Sequence, residues 1–275
     1  MHDVLSQQSR SLGDFADVDS ADSEHFVAKL DEMQALPAFQ DYKQIAFALL
    51  RLVPGASVAD IGCGAGDDAG RLIALVQPSG SVTGFDLSET MLAQARARYG
   101  NIPGLSFAFG SADGMTAAEG RFDAVRADRV LIHVPDATQT LAEMVRATKP
   151  GGRVVVSEPD MPGCWMSSSD PELAQRVVHE IAQTCTSPFL ARDLVALFKD
   201  AGLVDVTLTV SPVTAFEPGI VGKILDFAGI VRRLVESGAV TKEKATEWVA
   251  ELEERGRTGR FVGGMSIMTV AGTKV

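Results

Sequence analysis

Cysteine is scarce in these 275 residues, with only Cys63, Cys164 and Cys185 present. They form no C-x-x-C pair and are odd in number, which argues against a zinc knuckle or a disulfide framework and fits a reducing compartment. Basic side chains are also short: 25 Lys and Arg face 36 Asp and Glu, for a net charge of −11. That balance repels phosphate backbones and anionic lipid surfaces, so neither nucleic acid nor membrane is the expected partner. Nowhere do 18 apolar residues run together, and Met1, His2 and Asp3 open a segment without a basic region or an apolar stretch. The expectation is a soluble, cytoplasmic protein. His, Asp and Glu never cluster at metal-ligand spacing, so no metal is expected. There is no repeat with a period of 20 to 50 residues and no low-complexity tract.

What is present is 46% hydrophobic residue content, enough for one α/β core and a modest cap. Residues 1–40 form an acidic segment with a lid helix: eight acids against Arg10 and Lys29 fall within the first 35 residues. Helical spacing marks 25–33 and 38–52, the latter with Ile45, Leu49 and Leu52 on one face and Pro54-Gly55 as its stop. Strands are then predicted at 57–61, 81–85, 105–109, 122–127 and 153–157, alternating with helices at 67–76, 88–99 and one that opens at Asp136-x-x-Gln139, which resembles a capping box. Pro150-Gly151-Gly152 reads as the turn into the fifth strand. Later come helices at 170–184 and 189–201, a strand at 204–210, helices at 219–236 and 241–255, and a strand at 265–271. This rhythm predicts a doubly wound, mostly parallel, seven-stranded sheet. The core spans 41–210 and 263–275, and 211–262 is a helical insertion that caps the sheet edge.

The most informative stretch is Asp60-Ile61-Gly62-Cys63-Gly64-Ala65-Gly66-Asp67, a strand that runs through three alternate glycines into a helix. Such a loop turns sharply and lets the backbone approach a nucleotide-containing ligand. A dinucleotide fingerprint needs a third glycine where Asp67 stands, and Asp67 and Asp68 together would repel a pyrophosphate placed at the helix start. Asp86, 20 residues past Gly66 at the end of the second strand, is placed to accept hydrogen bonds from both ribose hydroxyls. The local chemistry therefore favours adenosine without phosphate. Capping of the next helix falls to Ser88 rather than Asp86.

These segments resemble the class I S-adenosylmethionine-dependent methyltransferases. Asp60-x-Gly62-x-Gly64-x-Gly66 is similar to their first motif, and Asp86 matches their ribose-holding acid. Ser111-Ala112-Asp113-Gly114 is similar to the segment that brackets adenine, with Asp113 at the exocyclic amine. Residues 122–136 resemble the fourth-strand motif, and 141–158, with Lys149-Pro150-Gly151-Gly152, resemble the helix and strand that follow. The resemblance covers about residues 45–160. It implies S-adenosyl-L-methionine as cofactor, with Asp60, Gly62, Cys63, Gly64, Gly66, Asp86, Leu87, Met91, Ser111, Ala112 and Asp113 around it. Met91 serves mainly as core, with its first turn near the ribose. Cys63, flanked by glycines and without a base partner, is a small filler rather than a nucleophile.

Methyl transfer needs an aligned acceptor and exclusion of water. A hydroxyl or protonated amine also needs a base, and His133, after the fourth strand, is the catalytic candidate. Arg129 and Asp128 stand nearer the strand end, at the cofactor's methionine portion. Glu158 and Asp160, after the fifth strand, are placed to face the acceptor. The Asn/Asp-Pro-Pro-Tyr/Phe motif of nucleobase and amide methylation is absent, since Asp128-Arg129-Val130-Leu131 stands there. The apolar arc of 219–236 (Ile220, Val221, Ile224, Leu225, Phe227, Ala228, Val231, Leu234) packs on the sheet or on a second copy in a homodimer, and part of it lines an acceptor pocket. The expected acceptor is a small, largely apolar metabolite such as a polyketide, terpenoid or quinone-like phenol, methylated at O, C or N in a biosynthetic pathway. Two alternatives stay open: a cyclase or pericyclase that keeps the cofactor without transferring its methyl, and a non-catalytic scaffold subunit.

Overall fold

The computed structural model describes residues 36–112, 119–219 and 227–275. The first four predicted strands form β1 (Ser57–Ile61), β2 (Ser81–Asp86), β3 (Leu105–Phe109) and β4 (Phe122–Asp128), each parallel to its neighbours. Successive residues serve opposite faces. Val58, Val82, Ala124 and Val155 join one apolar cluster, whereas Ala59, Val125 and Val154 join another. Burial on both faces keeps β1, β2 and β4 mainly apolar, whereas β3, at the sheet edge, exposes Ser106 and Phe109.

The fifth strand, β5 (Thr148–Pro159), is longer than expected. Thr148 pairs with Phe122 and Arg153 with Ala124, so the intervening Lys149-Pro150-Gly151-Gly152 segment is a bulge within the strand. A bulge and a tight turn draw on the same residues, and only the partner strand tells them apart. β6 (Trp165–Met166) is too short to show any periodicity, and it raises the sheet to eight strands. β7 (Val204–Ala215) and β8 (Gly263–Thr273) complete it, β8 running antiparallel to both β5 and β7. Along the sheet the order is β3-β2-β1-β4-β5-β8-β7, and β6 pairs with the start of β8 beyond the end of β5. The chain winds outward from β1 in one direction and then from β4 in the other, which opens a crevice at the carboxyl ends of these two strands.

Eight helices are described: α1 (Pro37–Leu49), α2 (Asp67–Val76), α3 (Glu89–Tyr99), α4 (Ala137–Ala147), α5 (Pro171–Ala182), α6 (Leu190–Asp200), α7 (Phe227–Glu236) and α8 (Lys242–Arg257). Ser88 caps α3 by accepting the Met91 N–H, and Asp136 caps α4 by accepting that of Gln139. The expected buried face of α1 needs correction. Ile45 is exposed, Leu49 and Leu52 pack half-buried against the core as expected, and the fully buried stripe is Phe39, Tyr42, Lys43, Ala46 and Leu50. A lysine in that stripe hides it from a purely apolar reading.

On α7, Phe227, Ile230, Val231 and Leu234 share a cluster with Leu173, Ala174 and Val177 of α5 and with Trp248 and Leu252 of α8. Phe227 and Trp248 stack with centroids 5.2 Å apart. Ile220, Val221, Ile224 and Leu225, and the predicted helix at 25–33, lie outside the described residues.

Candidate functional site

The glycine loop sits at the crevice between β1 and β4. Gly62 and Gly66 have φ of 66° and 88°, a region costly for side-chain-bearing residues. A Cβ on Gly62 would stand 2.4 Å from Val130 Cγ2, and one on Gly66 would stand 2.9 Å from the Phe107 ring. Gly62→Ala is expected to destabilise the fold by about 1–2 kcal/mol from the backbone alone, with the Val130 contact added to that. Urea unfolding checks this: adding Val130→Ala should restore the contact part only, and no restoration would show that the clash is absorbed elsewhere.

Asp86 holds this loop from the end of β2. Its Oδ2 accepts the Gly64 N–H at 2.8 Å and its Oδ1 accepts the Ser88 N–H at 3.0 Å. Leu87, beside it, is about half exposed, whereas Met91 and Ala112 are buried and Ser111 is partly buried. Asp113 lies outside the described residues. Cys63 points its sulfur into the core against Gly84, where a Cβ would be 2.8 Å away, and burial pushes its thiol far up. It is inert packing.

Asp67 and Asp68 do not both face the helix start as expected. Asp67 accepts the Tyr99 hydroxyl at 2.6 Å, and Asp68 accepts Lys43 at 2.7 Å and Arg126 at 3.1 Å. Asp68 is thus matched by Lys43 and Arg126, whereas Asp67, with the Tyr99 hydroxyl and the partly exposed Arg98 beside it, still carries a charge that opposes a pyrophosphate at the helix start.

Sequence reasoning missed what lies behind the loop. Arg126, fully buried in β4, reaches Asp60 at 2.9 Å, Asp68 at 3.1 Å and Asp128 at 3.2 Å. Lys43 joins Asp68 to Asp128, and the Tyr42 hydroxyl donates to Asp128 at 3.0 Å. Thus Asp60 is a partner of Arg126 behind the loop. Burial pushes the Asp60 carboxyl up against the pull of Arg126, whereas the flanking Arg126 and Lys43 overcome burial at Asp68 and hold it well down. An arginine within an apolar strand was the available signal, because a buried guanidinium requires carboxylate partners. These contacts tie α1 to the two segments that flank the crevice.

After β4 the chain turns at Arg129, whose φ of 59° is left-handed. The Arg129 guanidinium lies over the Phe39 ring, 5.3 Å from its centroid. Val130 then packs on Gly62, and the His133 N–H donates to the Val130 carbonyl at 3.0 Å. The base candidate is therefore one turn from the residue that abuts the glycine loop. Burial, then the charge of Arg129, pushes the His133 imidazole down to about 4.

Glu158 and Asp160 differ from the expected acceptor-facing pair. Glu158 belongs to β5 and is fully buried, with Oε1 accepting the Val130 and Leu131 N–H groups. Asp160 is paired with Arg192 of α6 at 2.8 and 3.1 Å. Among the described residues no His, Cys, Asp and Glu group is placed to hold a metal ion, and no helix is long and apolar enough to cross a membrane.

Residues 52–229 match the family model described as a methyltransferase domain. The chain is 33% identical over 247 residues to an uncharacterised 37.1 kDa protein in transposon TN4556 of Streptomyces fradiae, covering 89% of this chain and 70% of that one. It is 31% identical to the demethylmenaquinone methyltransferase of Halalkalibacterium halodurans over 66% of this chain and 83% of that one. Among solved structures, the YcgJ protein of Bacillus subtilis superposes with a TM-score of 0.60 at 17% identity, covering 86% of this chain and 98% of that one. The shared fold is what this last likeness shows.

Proposed function

We propose, because the chain belongs to the class I S-adenosylmethionine-dependent methyltransferase family, that it methylates a small, largely apolar acceptor with His133 as the proton-accepting group. The observation that carries this reading is the position of a neutral His133 one turn from Val130, whose side chain abuts Gly62 of the cofactor loop. The residues present fit the cofactor: Gly62, Gly64 and Gly66, all left-handed, turn the loop sharply at the end of β1, and Asp86 presents a carboxylate beside the exposed Leu87.

When bound, S-adenosyl-L-methionine supplies an electrophilic methyl on its sulfonium. In our reading Asp86 holds the ribose hydroxyls beside the first turn at Met91, while Leu87, Ser111 and Ala112 surround the base, with Asp113 assigned to its exocyclic amine by the sequence resemblance alone. Gly62, Gly64, Gly66 and the Cys63 backbone pass close to the methionine portion, with Arg129 at its far end and Asp60 acting from behind through Arg126. His133 accepts the proton of the acceptor's hydroxyl or amine; a depressed basicity keeps it unprotonated and suited to orienting that group. The chain's net negative charge argues against an anionic acceptor. The name of the demethylmenaquinone methyltransferase relative supports a quinone-like phenol as its class.

Incubation with S-adenosylmethionine and a panel of such phenols tests this, and S-adenosylhomocysteine with methylated product is the expected result. Consumption of the acceptor without S-adenosylhomocysteine would overturn methyl transfer on it. Asp86→Ala is expected to weaken S-adenosylmethionine binding by about 2 kcal/mol, roughly 30-fold in Kd, by removing the loop anchor and the ribose acceptor together. Calorimetry reads the change, and an unaltered Kd would remove Asp86 from the site.

A further inference from the structure

Glu158 is a fully buried carboxyl with no assigned part in the reaction. Arg129, left-handed in its backbone, turns the chain away from β5, so the N–H groups that follow lose their ladder partners. The Arg129 N–H makes the last bond of the ladder, to the Ser157 carbonyl at 2.8 Å, and the next residue of β5 then takes over: Glu158 Oε1 accepts the N–H groups of Val130 at 3.0 Å and Leu131 at 2.7 Å. The loop so gripped presents Val130 to Gly62 and carries His133, whose carbonyl receives the Thr186 hydroxyl at 3.1 Å. Glu158 Oε2 is buried and has no hydrogen-bond partner among the described residues. For packing alone an apolar side chain would serve better, because a buried carboxyl with a bare oxygen is costly.

We propose that Glu158 is a positioning residue: by taking two consecutive N–H groups at one carboxyl oxygen, it sets the shape of the loop that brings Val130 and His133 to the cofactor. This rests on the methyltransferase reading for its consequence, although the contact itself does not. Burial pushes the Glu158 carboxyl up to about 8, against the pull of the backbone N–H groups. Asp128 and Arg129 face it from β4 and its loop, and Cys185 faces it from the segment after α5.

The test uses the full chain labelled with nitrogen-15, with S-adenosylmethionine as the probe. In the wild type the Val130 and Leu131 amide resonances should shift together with one midpoint near 8. In Glu158→Gln, whose amide oxygen accepts the same bonds but does not ionise, that shift should vanish while the Kd for S-adenosylmethionine stays within about twofold. Glu158→Leu, which keeps bulk and loses the acceptor, should weaken binding about tenfold. Val130 and Leu131 amide resonances unchanged in Glu158→Leu, or equal Kd values in the Gln and Leu variants, would overturn the proposal. If the Leu variant does not fold, Glu158→Met, read by the same amides and the same Kd, takes its place. Failure of the wild type to bind S-adenosylmethionine would count against the methyltransferase reading instead, and the amide resonances of the variants would still decide the role of Glu158.

Discussion

His133→Ala is expected to lower kcat by at least about 100-fold, the contribution of a positioned proton acceptor, and to leave the Kd for S-adenosylmethionine within about twofold. The separation follows because the His133 N–H ties it to the β4 loop at the Val130 carbonyl, and it is Val130 that packs on Gly62 of the glycine loop. The pH dependence sharpens the prediction. Burial and the Arg129 charge lower the imidazole to about 4, so the group remains neutral as pH falls from 7 to 5 and protonates only below that. The acidic limb of kcat/KM, which reports the free protein, is therefore expected near 4 for His133, not near the 6.5 of an ordinary histidine. The same shift affects stability: the unfolded chain takes up the proton first, so stability linked to His133 is present above 6.5 and is lost as pH falls from there to about 4. Wild-type kcat in His133→Ala would remove it from the chemistry, and an acidic limb at 6.5 that disappears in the variant would show that the site is more solvated than its burial implies.

Arg126→Met should destabilise the protein by about 3–5 kcal/mol, the range for removing one partner of a buried ionic network. Three carboxylates, on Asp60, Asp68 and Asp128, converge on this guanidinium, and Lys43 reaches only the last two. Asp60 is left without a cation, so adding Asp60→Asn should recover a sizeable part of the loss. Urea unfolding of the two single variants and the double variant forms the cycle. Losses that simply add would mean that Asp60 and Arg126 do not depend on each other.

The network also shows why legibility differed along the chain. β1, β3 and α2 were readable to the residue because each is a short periodic run ended by glycine or by a helix cap, signals contained within the segment itself. The glycine loop and Asp86 were readable for the same reason, since 20 residues separate them and strand-to-helix rhythm joins them. Lys43 and Arg126 were not, because partners 25 and 58 residues away satisfy their charges, and a charged residue on a buried face violates the local pattern. The bulge of β5, the two-residue β6 and the docking of α7 on α5 are each defined by a partner element. Glu158 belongs to the same class. Its sequence neighbours suggest a solvated acid beyond a strand, whereas the turn at Arg129 makes it the acceptor for orphaned N–H groups.

The central claim is that the crevice between β1 and β4 takes a nucleoside cofactor without a pyrophosphate. Calorimetric titration of the protein with S-adenosylmethionine and, separately, with NAD+ tests it most directly. One-to-one, saturable binding of S-adenosylmethionine with no heat from NAD+ is the predicted result. Saturable binding of NAD+ with none of S-adenosylmethionine would contradict it.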